Sequence, residues 1–145
     1  EPRVALKWEA GPKGSITAGY GLHSQMQGLG VYFTRVTNAQ GAVLQPNKNL
    51  GFTRAHHFVA GYQHQLGANL RVKTELYYQH LFNVPVGNHD TSIVSTLNLR
   101  DGFLTEALTN RGKGRNYGAE LTLERNLEKN FYLMWSNSFY QSKYT

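Results

Sequence analysis

Leu70-Arg-Val-Lys-Thr-Glu-Leu-Tyr-Tyr-Gln-His-Leu-Phe82 alternates with a period of two. Leu70, Val72, Thr74, Leu76 and Tyr78 fall on one side of an extended chain, and Arg71, Lys73, Glu75, Tyr77 and Gln79 on the other. Successive side chains of a strand point to opposite faces, so this run is a strand with one oily and one wet face. Gly67-Ala68-Asn69 precedes it, and two of these residues tolerate tight-turn dihedrals. Before that turn, Arg54 to Leu66 repeats the alternation less cleanly, with Phe58, Ala60, Tyr62 and Leu66 against His57, Gly61, Gln63 and Gln65. The two runs form a hairpin whose arms, about twelve residues each, are roughly twice the usual strand of a globular protein.

Outward from this hairpin the same grammar recurs. Val4, Leu6, Trp8 and Ala10 alternate with Arg3, Ala5, Lys7 and Glu9; Gly11-Pro-Lys-Gly14 is a turn; Ile16, Ala18, Tyr20 and Leu22 then alternate with polar residues and glycines. Towards the other end, Tyr117, Ala119, Leu121 and Leu123 oppose Gly118, Glu120, Thr122 and Glu124, and Glu128-Lys-Asn130 makes a short turn. Phe131 to Thr145 has an ambiguous phase, because Phe131, Leu133, Trp135 and Phe139 sit opposite Tyr132, Met134 and Tyr140. The sequence thus predicts an all-β, antiparallel, up-and-down meander of about six long strands, at 3–10, 15–25, 53–66, 70–83, 117–127 and 131–145. Two long connections, 26–52 and 84–116, are rich in Gly, Pro and Asn. Within them, Val31 to Thr34 reads as a short strand, Gly102 to Thr109 as one or two helical turns, and Gly112-Lys-Gly-Arg-Asn116 as loop in which Gly112 and Gly114 supply positive φ. Glu1-Pro-Arg-Val4 already reads as the start of a strand and Lys143-Tyr-Thr145 is still strand-like, so an interior piece of a longer protein is expected.

Composition narrows the class. Charged residues are 17%, below the usual quarter, and nine Tyr favour a pleated surface. There is no Cys, hence no disulfide framework or thiolate metal site. The net charge is +6, but Lys and Arg are scattered rather than gathered on a stripe, which argues against nucleic acid. No apolar run reaches the eighteen or so residues of a membrane helix.

Two architectures satisfy this pattern. A soluble, secreted β-sandwich that binds carbohydrate packs its oily faces on a second sheet. A transmembrane barrel turns them to lipid. Three features favour a part of a larger barrel. Strands of about twelve residues suit a tilted crossing of a roughly 25 Å apolar band. Short turns fall at one end and long loops at the other. Aromatics gather towards strand ends, at Trp8, Tyr78, Phe82, Tyr117, Phe131, Tyr140 and Tyr144. Arg71, Lys73, Glu75 and Gln79 would then face a watery lumen, although in a sandwich they would simply meet solvent.

The stretch Gly112-Lys-Gly-Arg-Asn-Tyr-Gly-Ala-Glu-Leu-Thr-Leu-Glu124 resembles the loop-to-strand approach in barrels of TonB-dependent outer-membrane receptors of Bacteroidetes type. Arg71 to Tyr78 and Ser136 to Tyr144 are similar to strands of the same family. The resemblance covers most of the chain, without the family's plug domain, TonB-contacting segment or closing strand. It implies the outer membrane of a Gram-negative cell, uptake of a scarce ligand such as an iron chelate, cobalamin or glycan, and no enzymatic chemistry. It also implies lipid and lipopolysaccharide as surroundings, and TonB as a partner through the missing plug.

Candidate site residues are sparse. His56 and His57 are adjacent in a strand and point to opposite faces, so they cannot chelate together. His64 and His80, on facing arms, are candidates for proximity without a nearby carboxylate; no metal or cofactor is expected. His89-Asp90 with Thr91 and Ser92 lies in a loop and lacks the rigid relation a hydrolase needs. Lys48, Arg54, Arg100, Arg111, Lys113 and Arg115 are loop cations suited to lipopolysaccharide phosphates or an anionic ligand, of which Arg100, Arg111, Lys113 and Arg115 are preferred. Tyr32, Phe33 and Phe103 are stacking candidates. Gly118 either leaves room for a loop or plug on the inner face or marks a bulge or close backbone contact.

Overall fold

The computed structural model describes residues 1–89, 91–99, 104–128 and 131–144, with backbone alone for 127 and 128. Asp90, Arg100, Phe103 and the turn residues 129 and 130 lie outside the described residues. Six strands form one sheet in the order β1-β2-β5-β6-β7-β8: Arg3–Glu9, Gly14–Gln25, Thr53–Gln65, Leu70–Gly87, Leu108–Glu128 and Phe131–Tyr144. Each strand thus lies beside the next long strand of the chain. The small hairpin β3–β4, Val36–Thr37 with Val43–Leu44, is separate.

The alternation sets the register. β1 pairs with β2 so that Val4 faces Tyr20, Leu6 faces Ala18 and Trp8 faces Ile16, while Lys7 faces Thr17 and Glu9 faces Ser15. A one-residue slip would exchange the oily and polar sets, so the pattern specifies the pairing. Gly11 takes φ +84°, and Ala10 N–H donates to Gly14 O at 2.8 Å to close the turn. The central hairpin closes by Leu66 N–H donating to Leu70 O at 2.8 Å.

The chain divides into two compact units. The first comprises Glu1–Leu22, His56–His80 and Arg115–Lys143, and holds the short turns. The second comprises His23–Ala55, Leu81–Gly114 and Tyr144–Thr145, and holds both long connections. In the first unit the oily faces are bare: Trp8 is 61% exposed, Leu76 54% and Leu121 38%. A β-sandwich would have covered them. In the second unit, Val31, Val84 and Leu108 are buried, and they are the buried large hydrophobics among the described residues.

Several expectations about the connections need correction. β6 runs on to Gly87 and β7 begins at Leu108, so the second connection is 88–107 rather than 84–116. Leu108 and Thr109 are strand, not part of a helical turn, and Gly112-Lys-Gly-Arg-Asn116 is strand, not loop. Gly112 misled because close packing, not turn freedom, requires it. Neither Gly112 nor Gly114 has positive φ. A Cβ on Gly112 would lie 2.5 Å from Val86 Cγ1 and 2.9 Å from Val84 O. In the first connection, the strand expected at Val31 to Thr34 does not form: Val31 and Tyr32 end the short helix α1, Leu29–Tyr32, and a 3-10 turn follows at Pro46–Asn49. The strand content moves to β3–β4, where Asn38 Oδ1 accepts from Gln40 N–H (3.0 Å) and Ala42 N–H (2.8 Å), and Gly41 adopts φ +81°.

Within β6, Asn83 has φ +55°, the left-handed region that few residues other than glycine enter. Even-numbered positions before it, Leu76 and Tyr78, are exposed; Val84, just after it, is 1% exposed. The change follows the positive φ: an extra residue in the wide backbone turn shifts the side-chain phase, as in a β-bulge.

Candidate functional site

In the first unit, polar side chains on one face bond along β1 and β6 and across β6, β7 and β8. Arg71 on β6 pairs with Glu124 on β7, Lys73 Nζ lies 2.6 Å from Glu75 Oε2, and Lys7 Nζ lies 2.6 Å from Glu9 Oε1. Asn116 Nδ2 donates to Gln79 Oε1 at 3.1 Å, and Ser142 Oγ donates to Asn116 Oδ1 at 2.6 Å. Thr122 and Ser136 hydroxyls meet at 3.2 Å. All four residues of the expected polar row, Arg71, Lys73, Glu75 and Gln79, therefore lie on one face, satisfied by neighbours.

That ladder also settles the phase of β8. Ser136 and Ser142 share the polar face with Thr122 and Asn116, so Phe131, Leu133, Trp135 and Phe139 share the oily face with Tyr117 and Leu121. Arg125 extends over the Phe131 ring at 5.6 Å, its stem along apolar surface. Gly118 resolves to the close-contact alternative: an added Cβ would stand 2.5 Å from Phe139 O and 2.8 Å from the Tyr77 ring, which covers the bare backbone.

The oily face carries two rows of amphipathic rings. Tyr20 donates or accepts at His56 Nδ1 (2.9 Å) and lies tilted against Phe58 (5.0 Å), and His56 stacks on His80 at 6.5 Å. Six and eight residues on from His56 along β5, Tyr62 and His64 stack at 6.0 Å. Six to eight residues of strand span about 20–26 Å. The expected approach of His64 to His80 does not occur. Counted from the turn, His64 stands two residues from Leu66 and His80 ten from Leu70, so the two occupy different levels; the partner of His80 is His56. No group of three or more potential metal ligands occurs among the described residues.

In the second unit, asparagine side chains lace the connections to the strands. Asn47 is fully buried; its Nδ2 donates to Glu106 O at 3.1 Å and its Oδ1 accepts from Leu108 N–H at 2.8 Å. Asn110 accepts from Gly51 N–H (2.8 Å) and donates to Gly51 O (3.0 Å) and to Asn83 O (2.7 Å). Sequence analysis placed both residues within the long connections, where an Asn reads as loop chemistry, and nothing in the sequence marks either as a long-range partner.

Residues after β6 fold back on it. Gly87 N–H donates to Val94 O (2.9 Å), Thr96 N–H to Pro85 O (3.0 Å), and Val86 bridges Ser95. This return borders an open hollow of about 460 Å³ whose lining includes Val86, Ser92, Ser95, Arg111, Gly112, Lys113, His89 and Tyr144. Arg111 donates to Gly87 O at 3.1 Å, and Ser92 Oγ donates to Glu106 Oε1 at 3.0 Å. Of the preferred cations, then, Arg111 and Lys113 stand together at one cavity. Arg115 belongs to the first unit, and Arg100 lies outside the described residues. Arg111, Lys113 and Arg115 are strand residues of β7, exposed, with Gly112 and Gly114 buried between them.

The family described as TonB dependent receptor-like, beta-barrel, matches the chain over residues 1–145. No curated protein matches the sequence.

Proposed function

The chain belongs to the TonB-dependent receptor-like β-barrel family, and from that premise we propose that it forms part of the wall of an outer-membrane transporter that takes up a scarce ligand. The family is one of receptors and transporters rather than enzymes, and it implies the Gram-negative outer membrane and TonB. The observation that carries the proposal is the bare oily face: Val4, Leu6, Trp8, Leu76, Leu121 and Phe139 are exposed on a single-layer sheet, with a satisfied polar ladder on the reverse. Lipid would solvate the first face and a water-filled lumen the second.

In this reading, the two ring rows of β5 mark the interfaces of the apolar band. The edge strands β1 and β8 pair with further strands of the same barrel, because exposed edges recruit partners. TonB acts through a plug outside this chain. Arg54, Arg111 and Lys113, exposed in the second unit, suit lipopolysaccharide phosphates. The likeness of Gly112 to Glu124 to Bacteroidetes-type receptors favours that branch and its ligands, iron chelates, cobalamin or glycans.

Trp8 and Trp135, the chain's two tryptophans, both lie on the oily face. In the intact receptor reconstituted into liposomes, with other tryptophans replaced by phenylalanine, brominated acyl chains should quench their emission strongly and aqueous acrylamide weakly. The reverse order would reject the lipid-facing assignment.

A further inference from the structure

On the oily face of β7, the uncharged run Tyr117, Ala119, Leu121 and Leu123 is bounded by Arg115 at one end and Arg125 at the other. The two arginines stand ten residues apart, about 34 Å along a strand. At the tilt of barrel strands, roughly 35–45°, that rises about 24–28 Å, the height of an apolar band. Arg125 lies over Phe131 at the start of β8, beside the short turn. Arg115 therefore marks the opposite margin, on the side of the long connections, which in such barrels is the outer one.

A second cation shares that margin. Tyr117 Oη donates to Gln141 Oε1, and Ser142 Oγ to Asn116 Oδ1, so 117 opposes 141 and 116 opposes 142. One step further along the antiparallel pair, Arg115 opposes Lys143 on β8, and both project from the oily face. Both are exposed and belong to the first unit. Like charges directly opposite each other repel, and neither forms an ion pair among the described residues. The described carboxylates of β6 and β7 in this unit, Glu75, Glu120 and Glu124, all take the polar face. Just inside the margin is a shallow hollow of about 500 Å³, with Leu76, Ala119 and Phe139 in its lining and the Tyr117–Gln141 pair on the side of the cations.

We propose that this strip binds a phosphorylated glycolipid of the outer leaflet. Arg115 and Lys143 clasp the phosphate on its sugar headgroup, and an acyl chain lies in the hollow. Charge at the margin with an apolar trough directly below repeats the order in which such a lipid presents its own parts. A phosphate monoester carries about −1.5 to −2 near neutral pH, which two cations match better than they match the single charge of a phosphodiester. A bridging phosphate also relieves the repulsion between the two cations, and the guanidinium can hold it by two parallel bonds. The inference rests on the receptor reading above and adds to it the lipid and the place where it sits.

The test uses the intact receptor in detergent, offered bis-phosphorylated lipid A, its dephosphorylated form or phosphatidylglycerol, with the retained lipid read by native mass spectrometry. Bis-phosphorylated lipid A should be retained about ten-fold more than either competitor, since each cation at an anionic lipid surface is worth a factor of about five. The preference should shrink as salt rises. Arg115→Gln combined with Lys143→Gln should abolish it, and Arg115→Lys should keep most of it. Phe139→Ala should weaken retention of both lipid A forms alike, and Lys7→Gln, on the polar face, should leave retention unchanged. Heat-modifiable gel mobility verifies that each variant is folded, and the two single Gln variants replace the double one if it is not. Equal retention of the two lipid A forms overturns the site, as does a preference that survives the Gln substitutions. Phosphatidylglycerol retained as well as lipid A overturns the assignment to a phosphorylated glycolipid. If tryptophans are quenched from the bilayer yet no preference appears, this inference alone fails. Quenching only from water removes the receptor reading itself.

Discussion

The two units solve burial in opposite ways. Among the described residues, Val31, Val84 and Leu108 are buried in the loop-bearing unit, whereas the unit holding the short turns exposes Leu6, Trp8, Leu76, Tyr78, Leu121 and Phe139. One unit has a small apolar core and buried amides that are hydrogen-bonded, although Phe33, Val43 and Ile93 stay exposed. The other buries almost nothing by itself and relies on backbone ladders. The difference teaches that a shared strand can serve two solvents, provided the oily residues of one portion are matched by a non-aqueous surrounding.

The contrast can be broken most forcefully at the middle of the oily face. Leu76→Arg should cost about 2–4 kcal/mol if that position meets acyl chains, read as lost folding into liposomes by heat-modifiable mobility. Leu44→Arg, on the exposed β4 of the loop-bearing unit, should stay within about 0.5 kcal/mol by the same assay. Equal costs would erase the distinction between the units. Next in size is Asn47→Ala, which strands Glu106 O and Leu108 N–H in a buried setting and should cost about 1–3 kcal/mol. The loss should be local, seen as faster amide exchange around 44–50 and 104–108 with membrane insertion intact. Gly118→Val, whose side chain meets Phe139 O and the Tyr77 ring, should cost about 1–3 kcal/mol as overpacking, and adding Tyr77→Ala should recover only part because the carbonyl remains. The smallest effect belongs to the polar ladder. A double-mutant cycle on Arg71 and Glu124 should return about 1 kcal/mol or less and fall with salt.

Alternation made the first unit legible. Lys7, Arg71, Lys73, Glu75, Gln79 and the oily residues opposite them sit where a period of two places them, because a register slip would exchange the faces. The second unit was less legible for specific reasons. Gly112 and Gly114 look like turn residues in isolation, yet both are strand, and at Gly112 the need is spatial: Val84 and Val86 press against it. Asn47 and Asn110 look like loop formers, yet each serves as a surrogate backbone partner across some sixty residues of sequence. Such long-range amide bonds leave no periodic trace. The cavity residues were half visible: Arg111 and Lys113 stood out as cations, while Ser95 carried no signal until the return of the chain onto β6 buried it. The phase of β8 needed Thr122–Ser136 and Asn116–Ser142 to decide it.

Asn83, the left-handed residue within β6, bears on how such a protein diversifies. Because the strand resets its facing there, insertions or swaps beyond that point need not preserve parity with Leu70 to Phe82. A lineage could therefore exchange the connections that follow it while inheriting the alternating strands of the barrel unchanged.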